Sequence, residues 1–138
     1  MPQILLIDDD PTLRRALRIA LEKSGHHVAE AANGREGLAA FSAHPADLIV
    51  TDIIMPDVEG IETIRRLRGQ SKRVPIIAIS GGGRGSAEDY LLFAKALGAT
   101  QVFEKPFDID TLRAAVASLL KASAAEAVAG VTGGLSPA

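Results

Sequence analysis

The sequence predicts an α/β domain, a doubly wound five-stranded parallel sheet in the order 2-1-3-4-5 with helices on both faces. Three observations lead there. Short apolar, β-branched runs recur five times, and segments with helical spacing separate them. Strands that are nearly continuously apolar instead of alternating are buried on both faces, which indicates a parallel sheet covered by helices. Finally, 138 residues that are 47% hydrophobic but only 4% aromatic suit one core of aliphatic side chains.

The five runs are "QILLI", "HHVAEA", "DLIVT", "VPIIAIS" and "TQVFE". After the first, Asp10 before Pro11 reads as a helix start, with an Asp side chain accepting from free amides and a proline at the first helical position, where it loses no bond. Leu13, Ala16, Leu17, Ala20 and Leu21 then share a face at helical spacing, and Gly25 is placed to cap the end. Before the fourth helix, Ser86 and Asp89 pair as an N-cap and its reciprocal partner, so that helix should start near Ala87 after a glycine-rich loop from Gly81 to Gly85. Asp108 or Asp110 opens the last helix, whose buried stripe is Leu112, Ala115, Val116, Leu119 and Leu120, and Lys121 suits its negative end. Beyond it "ASAAEAVAGVTGGLSPA" turns rich in Ala, Gly and Ser, which divides the chain into a domain at 1–121 and a tail at 122–138, helical at first and then disordered.

Composition narrows the function. A net charge of −2 gives no footprint for nucleic acid, and the arginines at 14, 15, 18, 65, 66 and 68 read as solvated helix faces. The absence of cysteine removes disulfides, Cys-ligated zinc and thiol catalysis. His26, His27 and His44 are scattered and read as surface or strand-edge residues. With no signal peptide and no apolar span of about 18 residues, the expectation is a cytoplasmic protein without a membrane partner.

The chemistry lies in the carboxylates. In an open doubly wound sheet, ligands bind outside the carboxyl ends of the strands where strand order reverses, here between the first and third. Asp8 and Asp9 end the first strand and Asp52 ends the third, so three carboxylates converge on one crevice. At about 4 Å their repulsion reaches several kcal/mol per pair at an intermediate dielectric, which favours a hard divalent cation between them. Oxygen ligands suit magnesium, with manganese as the substitute, and no His or Cys cluster supports zinc. Ser80 closes the fourth strand and Lys105 follows the fifth, adding a hydroxyl donor and a fixed cation at the same edge. Those groups together suit a magnesium-dependent phosphoryl acceptor.

"LLIDDDP", "TDIIMPDVEGIE", "AIS" and "GATQVFEKPF", in this order from Gln3 to about Lys121, resemble the receiver domain of bacterial two-component response regulators. The resemblance implies a flavodoxin-like three-layer sandwich. It implies that Asp52 accepts a phosphoryl group from the phosphohistidine of a sensor histidine kinase or a histidine phosphotransfer protein. Asp9 matches a direct magnesium ligand and Asp8 one acting largely through water, with the backbone carbonyl of Ile54 as a further ligand beside Asp52. Ser80 matches the hydroxyl that swings to the phosphoryl group, Lys105 the cation that contacts it, and the Lys105–Pro106 bond is expected to be cis. Where many members have an aromatic switch three residues before the lysine, this chain has Val102, which has no ring to swing. Phe103 should point to the opposite face. Transmission is therefore expected through Ser80 into the glycine-rich loop and the helix around Tyr90.

Three rival readings compete with this one. "DDDPTL" also resembles the D-x-D-x-T-L motif of haloacid-dehalogenase-type phosphatases, with Asp8 as nucleophile and Asp10 as acid/base, but that leaves Asp52 unexplained. A pseudo-receiver would have lost the aspartates, Ser or Lys, and all are retained. "GGGRGS" lacks the Lys that a Walker loop requires. The expected output is contact with a downstream protein, by a stand-alone regulator or by the receiver part of a longer chain. The domain is not expected to be an enzyme beyond its own phosphorylation and dephosphorylation.

Overall fold

Four apolar residues in a row, Ile4 to Ile7, are all buried in β1 (Gln3–Ile7), because this strand lies inside the sheet with helices on either side. The computed structural model describes residues 1–53, 59–81, 92, 95–96 and 98–135. Within them follow α1 (Pro11–Lys23), β2 (His27–Ala31), α2 (Gly34–Ala43), β3 (Leu48–Asp52), α3 (Glu59–Gln70), β4 (Ile76–Gly81), β5 (Gln101–Lys105) and, as the last helix, α4 (Ile109–Leu135). All strand pairs are parallel and the order is β2-β1-β3-β4-β5, as the sequence predicts. The helix expected from Ala87, its cap at Ser86 and Asp89, Tyr90 and the glycine-rich stretch 82–85 lie outside the described residues.

Strand alternation divides the core into two layers. Leu5, Ile7, Ile49, Ile76 and Ala78 pack with Phe41 of α2 and Ile64 and Leu67 of α3. On the other face Ile4, Leu6, Leu48, Val50, Ile77 and Ile79 pack with Leu17 and Leu21 of α1 and Leu112 and Val116 of α4. Val102 joins the first layer and Phe103 the second, where its ring meets Phe107 at 6.0 Å between centroids. Two glycines let helices approach closely. A Cβ on Gly34 would collide with the Thr63 hydroxyl of α3, and one on Gly60 would stand 2.6 Å from Cα of Ile53, just after β3.

The helix ends carry the expected chemistry. Asp10 Oδ1 accepts from the amides of Thr12 at 2.9 Å and Leu13 at 3.3 Å, with Pro11 opening α1. At the other end Gly25 takes φ of +95°, donating to Glu22 O while His26 donates to Leu21 O, a Schellman closure. Of the two aspartates offered for α4, Asp108 is the cap, its Oδ1 accepting from the Asp110 amide at 3.2 Å. This helix does not stop at the compositional boundary. It continues to Leu135, so Lys121 stands in its interior and not at its negative end. Lys121, Ala122 and Ala124 to Glu126 are exposed, while Leu119 and Leu120 pack on the core.

Arg68 corrects the reading of the arginines as solvated. Burial pushes its guanidinium below the usual arginine value. Its Nε donates to Gly98 O at 2.8 Å, Nη1 to Val74 O at 2.6 Å and Ser71 O at 3.3 Å, and Nη2 to Thr100 Oγ1 at 3.3 Å. One side chain thus ties the end of α3 to the segments leading into β4 and β5. Arg68→Met leaves those acceptors unpaired and should lower stability in urea unfolding by about 2–3 kcal/mol, whereas Arg65→Met, exposed on the same helix, should stay within about 0.5 kcal/mol.

Candidate functional site

Four neighbouring strands end along one edge. Ile7 pairs with Thr51, Asp52 with Ile79, and Gly81 with Lys105, so the residues closing β1, β3, β4 and β5 stand side by side. Asp8 directly follows β1, anchored by its amide to Ala31 O at 3.1 Å. Alternation then sorts the side chains. Asp8 falls in phase with Ile4 and Leu6, Asp52 with Leu48 and Val50, and Lys105 with Phe103, all on the face covered by α1 and α4.

The result is a charged cluster at the mouth of an apolar sheet. Asp8 and Asp52 are each only 3% exposed while Asp9 is exposed, and one carboxylate oxygen from each of the three lies within 4.8 Å of the others. Lys105, the last residue of β5 and not its follower, donates through Nζ to Asp52 Oδ2 at 3.1 Å. Asp8 Oδ1 accepts from the Asp10 amide at 2.8 Å, but Oδ2 is buried with no partner among the described residues. Burial is the main cause that pushes the Asp8 carboxyl up to about 6, helped by the charges of Asp52 and Asp9 and opposed by the Asp10 amide and Lys105. Three carboxylates facing one ammonium, with one buried oxygen unpaired, form an all-oxygen donor set that suits a hard divalent cation such as magnesium.

Ser80 is fully buried in β4 and its Oγ has no hydrogen-bond partner among the described residues. It stands next to last in the strand, in phase with Ala78 of the layer packed on α2 and α3. Val102 is half-buried against the α2 and α3 layer. Ile54, whose backbone carbonyl the resemblance offers as a ligand, lies outside the described residues. The Lys105–Pro106 bond is cis. His27 and His44 are exposed as expected, while His26 is partly buried and its burial lowers its basicity. Arg14, which the sequence places on a solvated helix face, turns inward instead. It donates to the Asp8 carbonyl at 2.7 Å and to Glu30 at 2.8 Å, a contact that only the pairing of β1 with β2 reveals.

Residues 4–117 match the response regulator receiver domain family. The transcriptional regulatory protein AfsQ1 of Streptomyces coelicolor is 38% identical over 101 residues, which are 67% of this chain and 44% of that protein. The KDP operon transcriptional regulatory protein KdpE of Escherichia coli is 40% identical over 114 residues, 83% of this chain and 49% of that one. Among solved structures, the receiver domain of a Francisella response regulator matches with a TM-score of 0.79 at 30% identity, covering 89% of this chain and 99% of that one. The chain spans about half the length of the curated relatives it matches.

The Asp8 carboxyl makes a pH prediction. Because its folded value of about 6 exceeds the ordinary 3.8, the folded state holds this proton more tightly than the unfolded chain. The stabilisation is full below pH 3.8 and is lost as pH rises through about 6, on the order of 2–3 kcal/mol in all. In urea unfolding with chelator present, the stability difference between Asp8→Asn and the unaltered protein should therefore shift in favour of the variant by roughly that amount between pH 4 and pH 7.5.

Proposed function

Because the chain belongs to the response regulator receiver domain family of two-component systems, we propose that Asp52 accepts a phosphoryl group from the phosphohistidine of a sensor histidine kinase or histidine phosphotransfer protein. The observation that carries this reading is the Lys105 Nζ contact with Asp52 Oδ2 at 3.1 Å, inside a cluster where Asp8 and Asp9 supply further carboxylates within 4.8 Å. An Asp52 oxygen attacks phosphorus in line with the P–N bond. The O–P bond forms as the P–N bond breaks, and the imidazole leaves with the electron pair and takes a proton.

Asp8, Asp9 and Asp52, with the carbonyl of Ile54, would hold magnesium or manganese, whose charge stabilises the phosphoryl oxygens when bound. Lys105 neutralises Asp52 at rest and turns to a phosphoryl oxygen once about two negative charges arrive. Ser80 supplies a buried hydroxyl with no hydrogen-bond partner among the described residues, which would turn toward a phosphoryl oxygen on Asp52 once one is present. With Val102 in place of an aromatic switch, that movement of Ser80 is the signal. The downstream partner is a protein; the net charge of −2 gives this domain no electrostatic reason to hold nucleic acid. No helix among the described residues is long and apolar enough to cross a membrane, in keeping with a cytoplasmic role. The domain catalyses only its own phosphorylation and dephosphorylation.

The phosphatase reading is disfavoured by Asp10, whose carboxylate is committed to the Thr12 and Leu13 amides and is not placed for acid/base work. Incubation with acetyl phosphate and magnesium, followed by borohydride reduction and mass spectrometry, should place the adduct on Asp52 and nowhere in Asp52→Asn. An adduct on Asp8 that persists in Asp52→Asn would hand the site to the phosphatase mechanism.

A further inference from the structure

The Asp8 carbonyl belongs to the peptide unit that joins Asp8 to Asp9, so whatever fixes it aims both carboxylates. Its side-chain partner is Arg14, which donates to it from Nη1 at 2.7 Å while Nε donates to Glu30 Oε1 at 2.8 Å. Glu30 Oε2 accepts from Arg18 Nη1 at 2.8 Å, and Arg18 Nε reaches Glu22 at 3.3 Å. Glu30 pairs with Leu6 across the β1–β2 ladder, two residues before Asp8, so the chain of contacts runs from the sheet edge to the acidic pair. Bonds from Arg18 and Arg14 hold the Glu30 carboxyl below the usual carboxylate range, which keeps it ionised at neutral pH. Asp9 has no hydrogen bond or ion pair of its own among the described residues, so its direction depends on the backbone that carries it.

We propose that Arg14, clamped by Glu30, is a positioning residue for the divalent-cation site of Asp8, Asp9 and Asp52. The inference rests on the cation reading of that cluster. The clamp has two effects. The rigid guanidinium fork bonds two acceptors in different directions and so fixes the Asp8–Asp9 peptide plane, which a lysine ammonium on a flexible stem does less well. Glu30 also offsets a positive charge that would otherwise repel a divalent cation close by. Groups that hold ligands in place this way commonly change metal affinity by tenfold or more when removed.

The test is a calorimetric magnesium titration of the full chain at neutral pH, paired with hydrogen exchange at the Asp10 amide in metal-free protein. Arg14→Ala and Arg14→Lys should each bind magnesium about tenfold more weakly. Glu30→Gln should lose several-fold, and the Arg14→Ala, Glu30→Gln double variant no more than Arg14→Ala alone, because the two act as one device. Arg18→Ala, which does not touch Asp8, should change affinity least. The Asp10 amide, bonded to Asp8 Oδ1, should lose protection in both Arg14 variants without any metal. Unchanged affinity in both Arg14 variants would overturn the proposal, as would additive losses from Arg14 and Glu30. If the unaltered protein binds no magnesium, the cation reading itself fails, while exchange at Asp10 still decides whether Arg14 holds the junction.

Discussion

Three carboxylates from two distant parts of the chain meet at the rim of an apolar sheet, within 4.8 Å, and the ammonium of Lys105 stands against one of them. Folding brings Asp8 and Asp52 together because β1 and β3 are neighbours, although 43 residues separate them in sequence and nothing in their own charges favours the approach. The opposing force is aliphatic burial. Ile4 to Ile7, Leu48 to Val50 and Ile76 to Ile79 leave almost no accessible surface, and their burial outweighs the repulsion at the strand ends. An all-oxygen donor set of three carboxylates beside one lysine suits a divalent cation.

The surrounding contacts preserve that arrangement. Asp10 turns its side chain to cap α1 and its amide to Asp8, so one residue both starts the helix and directs the neighbouring carboxylate. Gly60 lets α3 begin against the backbone of Ile53, directly after Asp52. At the opposite end of the sheet Arg68 binds the segments leading into β4 and β5, the strands that carry Ser80 and Lys105.

The sequence was most informative where local chemistry is self-sufficient. Asp10–Pro11, Gly25 and the stripe at Leu13, Leu17 and Leu21 announce α1, and unbroken apolar runs announce the parallel sheet. Asp8, Asp9 and Asp52 were found from strand-end position alone, and the structure brings them together. Long-range partners were less legible. Arg14, Arg18 and Arg68 look alike in a sequence, yet Arg68 is a buried clamp and Arg14 and Arg18 converge on Glu30, because only strand pairing and helix packing decide which acceptors stand nearby. Past Lys121 the helix continues to Leu135 through an alanine-rich stretch, since alanines sustain helix whether or not a core lies beneath them.

Thermal unfolding tests most directly whether the carboxylate cluster holds a divalent cation. Magnesium in excess should raise the unfolding temperature, in proportion to the logarithm of its concentration above saturation. Sodium chloride at matched ionic strength should not reproduce the shift, and Asp9→Asn, which removes an exposed carboxylate, should largely abolish it. An equal shift from sodium chloride, or an undiminished magnesium shift in Asp9→Asn, would show that the cluster tolerates its own charge and that the cation acts elsewhere.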